Sequence, residues 1–149
     1  MSPAAIFPFL LVLFAGGMIA LQAPTNAILS RAGGSPVVAA LISFAVGTLV
    51  LLAVAMTTGP RLRVAQFAGL PAYAWFGGAY GAVYVAVAAY AAPRIGLASL
   101  ITIGIAGQIA MALILDHIGA LGLPREPVNI GRVLGALLVV GGVVLVRRS

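Results

Sequence analysis

The sequence predicts an all-α, multi-pass membrane protein with five transmembrane helices and its N- and C-termini on opposite sides. Three observations carry this. First, hydrophobic residues make up 63% of the 149, before the 19 glycines are counted, and charged residues only 7%. A soluble domain carries about 25% charged residues, so the few charges here cannot cover a water-exposed surface, and a chain this apolar is not disordered. Second, the apolar residues fall into five runs, most of them close to the roughly 20 residues that a spanning helix needs. Third, a run such as 134–146 shows none of the alternation of a barrel strand, so the chain crosses as helices.

Each run has its own punctuation. Ser2-Pro3 pairs an N-cap with a proline suited to the first helical position, and the first run extends to about residue 29, interrupted by Pro24. Ser35-Pro36 repeats that start, and the second run ends at Thr58 before Gly59-Pro60. The third run starts near Pro71 and ends at Ala92, because Pro93 cannot continue a helix. The fourth extends from Gly96 to Leu115. The fifth extends from Ile130 to Val146 and is closed by Arg147-Arg148. The helices are therefore placed at about 3–29, 36–58, 71–92, 96–115 and 130–146, in a single domain over residues 1–149 with no internal repeat and no linker. The longest connection, 116–129, holds both acidic residues and the only histidine.

The formal charge is +6 and every basic residue is an arginine. The arginines are scattered and form no run that could follow a phosphate backbone, so nucleic acid is not an expected partner; they read as interfacial anchors. The N-terminal segment lacks a basic n-region and its apolar stretch is too long for a signal peptide, so it reads as a retained helix. With no cysteine there is no thiolate metal site and no disulfide. One histidine and two acids, without a Gly-x-Ser-x-Gly elbow, a His-Glu-x-x-His helix or a phosphate loop, give no basis for enzymatic chemistry. No metal and no cofactor are expected.

Five spans divide the arginines evenly. Arg61, Arg63, Arg125 and Arg132 fall on the side of the N-terminus, and Arg31, Arg94, Arg147 and Arg148 on the other. An excess of Lys and Arg orients a membrane protein, and here there is none. Insertion in both orientations would allow an antiparallel pair with its two-fold axis in the membrane plane. An oppositely oriented homologue could serve as the second half instead.

Several segments resemble one family: Leu21-Gln22-Ala23-Pro24-Thr25-Asn26-Ala27, Gly34-Ser35-Pro36, Ser43-Phe44-Ala45-Val46-Gly47-Thr48, Gly77-Gly78-Ala79-Tyr80-Gly81-Ala82, Pro93-Arg94-Ile95-Gly96, Gly107-Gln108 and Leu115-Asp116-His117-Ile118-Gly119. In this order, over nearly the whole chain, they resemble the small five-helix branch of the drug/metabolite transporter superfamily, described as inner-membrane exporters. The resemblance implies a half-size transporter that works as a dual-topology homodimer, an oppositely oriented pair or a fused chain.

Gln22 and Asn26 lie four residues apart and share a helix face. Pro24 between them removes a backbone donor and leaves the carbonyl of Ala20 without its partner. Amides beside freed carbonyls make a polar site of the kind transporters build from broken helices, or else they join helices by hydrogen bonds. Gln108 lies in the middle of the fourth run, between Gly104 and Ala112, with the same two readings. Tyr80 and Tyr84 share a stripe with Tyr73 and Gly77. Tyr73 and Trp75 suit an aromatic belt, whereas Tyr80 and Tyr84 lie too deep for one and could line a cavity. Small residues spaced four apart, Ser43 and Gly47, Gly77 and Gly81, Gly131 and Gly135, suit close helix packing. Asp116 and His117 sit at the membrane edge as a helix-terminal pair, and Glu126 beside Arg125 reads as a solvated pair.

The combined expectation is an inner-membrane half-transporter for a small polar or amphipathic metabolite. Its substrate would meet Gln22, Asn26, Tyr80, Tyr84 and Gln108 at the axis of an antiparallel homodimer within the lipid bilayer. The alternative is a non-transporting subunit that stabilises a larger membrane complex.

Overall fold

The computed structural model describes residues 3–59 and 63–148, and these are helical with no strand. Five helices follow one another: α1 (Pro3–Gly33), α2 (Pro36–Thr58), α3 (Gly77–Ile95), α4 (Leu97–Ile118) and α5 (Ile130–Arg148). Short 3₁₀ turns at Val64–Phe67 and Ala72–Phe76 lead into α3, and a third at Ala120–Gly122 follows α4. Four stretches are long and apolar enough to cross a membrane: Ile6–Gly33, Pro36–Thr58, Ala72–Ile95 and Leu97–Ile118. The fifth, Ile130–Leu145, is shorter but apolar. The predicted five-helix, multi-pass class is the one observed.

The boundaries of α2 are those the sequence predicts, for the predicted reason. Ser35 is extended and its Oγ accepts the N–H of Val37 at 3.2 Å, while Pro36 occupies the first helical position. Gly59 ends the helix in the left-handed region at φ 66°, its N–H donating to the carbonyl of Ala55.

Two prolines do less than the sequence suggests. Pro24 does not interrupt α1, which continues to Gly33. The hydroxyl of Thr25 donates to the carbonyls of Leu21 and Gln22, at 3.1 and 2.9 Å. The carbonyl that Pro24 leaves without a backbone donor is that of Ala20, so this hydroxyl bonds its neighbours in the ladder rather than the freed group, and the helix tolerates the proline as membrane helices do. Pro93 likewise lies inside α3, which ends only at Ile95, before Gly96 at φ 81°. There the Arg94 guanidinium donates to the carbonyl of Tyr90, supplying a donor to the last turn. α4 also outlasts its predicted end and takes in Asp116 and His117; it stops at Gly119, φ 63°, whose N–H donates to the carbonyls of Leu115 and Asp116. The Ser2 cap, the Pro60 stop and Arg61 lie outside the described residues.

The chain forms two compact units, Met1–Arg94 and Ile95–Ser149. In the first, α1 packs on α2, and α3 meets α2 where the Phe44 ring approaches Gly81. The buried residues of this unit are mostly alanines: Ala23 and Ala27 on α1, Ala39 and Ala40 on α2, Ala88, Ala89 and Ala92 on α3, with Val85. In lipid there is no hydrophobic drive between helices, so association depends on close backbone approach, which small side chains permit. The large apolar side chains, Leu13, Val37 and Leu51 among them, stay exposed, as a lipid-facing surface requires. In the second unit, α4 packs on α5.

The α4–α5 connection is tied to the end of α4. The N–H of Glu126 donates to the carbonyl of Asp116 at 2.8 Å, Arg125 Nε donates to the carbonyl of His117 at 3.1 Å, and the Val128 N–H donates to His117 Nδ1 at 3.2 Å. Gly119 is required here twice over. Its φ is positive, and a Cβ would sit 3.1 Å from Cβ of Arg125.

Candidate functional site

Asn26 and, half-buried, Gln22 and Ser30 lie on the buried face of α1, whereas Thr25 and Arg31 are exposed. Ala23, Asn26, Ala27 and Ser30 are spaced i, i+3, i+4, i+7, the pattern of a helix seam. α3 repeats it with Val85, Ala88, Ala89 and Ala92. Asn26 thus occupies a seam position between Ala23 and Ala27, and it is only 3% exposed. No other described residue hydrogen-bonds to its amide, yet none of its polar atoms is wholly sealed off. A fully buried, unpaired amide costs roughly 1–3 kcal/mol, and the exposure these polar atoms keep makes the cost here a fraction of that.

Gln22, one turn before Asn26, is half-buried. Ser30, one turn after it, is also half-buried and continues the same polar line toward the end of α1. On α3, Tyr84 is half-buried while Tyr80 is 68% exposed. Gln22, Asn26, Tyr80 and Tyr84 all belong to the first unit. Gln108 is exposed on α4 in the second. Of the small-residue positions, Gly81 is in close contact: a Cβ there would lie 3.1 Å from the Phe44 ring. Gly131 lies beside Asn129 Oδ1, 3.3 Å from where its Cβ would be. At Gly47, Gly77 and Gly135 a Cβ would meet nothing within 4 Å. Ser43 is half-buried on α2.

The acidic residues are engaged elsewhere. Arg132 on α5 pairs with Asp116 at 3.3 Å and with Glu126. The sequence reading that joins Glu126 to Arg125 is therefore corrected. Arg125 turns to the carbonyl of His117, and the first turn of α5 brings Arg132 to both carboxylates. Asp116 and His117 also have separate partners, Arg132 and the Val128 N–H, so neither side chain is bonded to the other.

Sequence reasoning misses one feature of the first unit. The last turns of α1 and α3 and the first turn of α2 enclose a cleft of about 340 Å³, lined by Ser30, Arg31, Gly34, Pro36, Tyr90 and Arg94, with Ala27, Ala89 and Pro93. The i, i+4 pair Tyr90 and Arg94 is the available signal. By contrast, the groove between α2 and α3, about 420 Å³, is apolar and lined by Val37, Ala40, Leu41, Phe44, Ala82, Val83 and Ala86.

The sequence matches the family described as "Putative inner membrane exporter, YdcZ", a drug/metabolite transporter family, over residues 7–145. The chain belongs to this family, and is a multi-pass protein of the inner membrane. Comparison with curated proteins and with solved structures returned no match.

Proposed function

We propose that this chain is half of a transporter that moves a small polar or amphipathic metabolite across the inner membrane. Two copies inserted in opposite orientations form the working unit. The observation that carries the reading is Asn26, an amide with no partner among the described residues, buried beside Ala23 and Ala27 in a protein from an exporter family. Its free donors and acceptors suit a ligand that exchanges with water. Gln22, Tyr80, Tyr84 and Gln108 from both copies complete the substrate contacts. Rocking of one bundle against the other opens the site to each side in turn.

The even division of arginines supports the antiparallel pair. The ion pairs of Arg132 leave that balance intact, because acidic residues contribute little to orientation. Glycines such as Gly47, Gly77 and Gly135, with open space beside them, suit a second copy's helices.

One experiment tests both halves of the reading. The chain has no cysteine, so Ser149→Cys gives a single label site for an impermeant maleimide in intact cells, alongside an uptake screen in vesicles. About half labelling together with accumulation of a solute class supports the proposal. Near-complete labelling or near-complete protection refutes dual insertion. No uptake, with co-purification of a fixed partner, refutes transport in favour of a membrane subunit.

A further inference from the structure

We propose that the cleft at the ends of α1, α2 and α3 binds a phosphate group, carried either by an anionic phospholipid headgroup or by a soluble phosphate. Such a site is independent of what the protein transports. Arg31 and Arg94 line one cleft of about 340 Å³. The whole chain has two acidic residues, and both pair with Arg132. Neither cleft arginine has an acidic partner among the described residues.

The helix ends do not neutralise them. A helix C-terminus carries about −0.5 of a charge and an N-terminus about +0.5. The ends of α1 and α3 therefore contribute about −1 together, and the start of α2 about +0.5. Against two guanidiniums this leaves the cleft near +1.5. Arg31 and Arg94 are exposed residues lining one cavity, and two like charges near a protein surface repel at an effective dielectric of about 20, more strongly than in bulk water. An anion with a charge between about −1 and −2, the range of phosphate diesters and monoesters, removes that repulsion.

The donors also have the required form. Arg94 lies over the Tyr90 ring, 3.7 Å from its centroid, and donates to the Tyr90 carbonyl. Its fork is held in place with further N–H groups to offer, the preorganisation that distinguishes Arg from Lys at phosphate sites. Arg31 makes no hydrogen bond or ion pair with another described residue. Ser30 supplies a hydroxyl to the lining, and Gly34 and Pro36 bring the N-terminus of α2 to the wall, an end that favours anions.

The test uses the full chain, purified in detergent, with two probes. Phosphatidylglycerol retention is counted by native mass spectrometry against phosphatidylcholine, and inorganic phosphate is titrated by calorimetry. The wild type is expected to bind at least one probe above the zwitterionic control. Arg31→Gln and Arg94→Gln should each weaken it about tenfold or more, the range for losing a charged hydrogen-bonding partner. Arg31→Lys and Arg94→Lys keep the charge and guard against misfolding; they should bind severalfold more weakly than wild type, because a point charge replaces a fork. Arg63→Gln, exposed and outside the cleft, should bind as wild type does. Retention of phosphatidylglycerol that phosphate does not displace identifies the lipid as the source; displacement, or binding of phosphate alone, identifies a soluble anion. Binding of neither probe, wild-type binding by both glutamine variants, or an equal loss in Arg63→Gln overturns the proposal.

Discussion

The sharpest prediction concerns the sign of a stability change. Asn26→Ala replaces the amide by the residue found on both sides of it along the seam, Ala23 and Ala27. If Asn26 joined helices by a hydrogen bond, its loss would destabilise the protein by about 0.6 kcal/mol, and by at most about 1.7. In the structure Asn26 as a residue is 3% exposed, its polar atoms are not wholly sealed off, and its amide finds no partner among the described residues. Removing it therefore relieves only a fraction of the roughly 1–3 kcal/mol that full desolvation would cost. The void left by the lost amide takes some of that back, at roughly 24 cal/mol per Å³. The net expectation lies between no change and a gain of about 1 kcal/mol. A change of about 1 kcal/mol moves the melting temperature by about 2–4 °C for a chain of this size class. Asn26→Ala should thus melt at the wild-type temperature or a few degrees above it, while losing uptake of whichever solute the wild type accumulates. Leucine is the wrong probe, since its added bulk among alanines would destabilise by overpacking. The assay pairs a detergent melt, followed by circular dichroism, with vesicle uptake. A lower melting temperature with uptake falling in parallel would show that the amide is structural and that the site lies elsewhere.

Three further outcomes follow from the same geometry. Gly119→Ala must hold a left-handed φ of 63° and place a Cβ 3.1 Å from Arg125. It should cost about 1–2 kcal/mol, read as a lower melting temperature and faster proteolysis of the α4–α5 connection. Gly81→Ala meets only the far end of the Phe44 ring and should cost less than about 1 kcal/mol, whereas Gly81→Leu should cost about 1–3 kcal/mol by overpacking; equal melting temperatures would remove the α2–α3 contact as a constraint. Asp116→Asn leaves Arg132 its pair with Glu126, and this partly exposed pair is worth about 1 kcal/mol or less, so stability and flux should both stay near wild type. Loss of a pH-dependent flux in Asp116→Asn, with folding intact, would assign that carboxylate to proton coupling and refute the present reading.

What is legible in the sequence is what local chemistry decides. Ser35, Pro36 and Gly59 bound α2 because a cap, a first-turn proline and a left-handed glycine each act within a few residues. Pro24 and Pro93 mislead because membrane helices tolerate an interior proline, and here the helices run past both, to Gly33 and Ile95. Thr25 and Arg94 donate to carbonyls beside the ones those prolines leave open, not to the open ones. Adjacency in the sequence pairs Glu126 with Arg125, but the fold of the connection sends them to different partners. The polarity of Asn26 can be read directly. Its burial cannot, because that depends on how α1 packs on elements far along the chain. The cleft is hidden for the same reason: Arg31 and Arg94 share a cavity only once α1 and α3 end beside each other.

The alanine seam explains why a single amide matters so much. Helices in lipid gain nothing by hiding apolar surface from one another, so the packing of α1 on α2, with Ala23, Ala27, Ala39 and Ala40 buried, rests on close contact. Every position that admits a methyl group serves that contact equally well. An amide there weakens the seam unless something meets its hydrogen bonds, and the described residues do not. Gln22 above it and Ser30 below it extend the polar line by one turn each way, and Ser30 already lines the arginine cleft. A solute moving between the membrane interior and one edge would meet a donor or acceptor at each turn of α1. It would lose all of them in a chain carrying Gln22→Ala, Asn26→Ala and Ser30→Ala together.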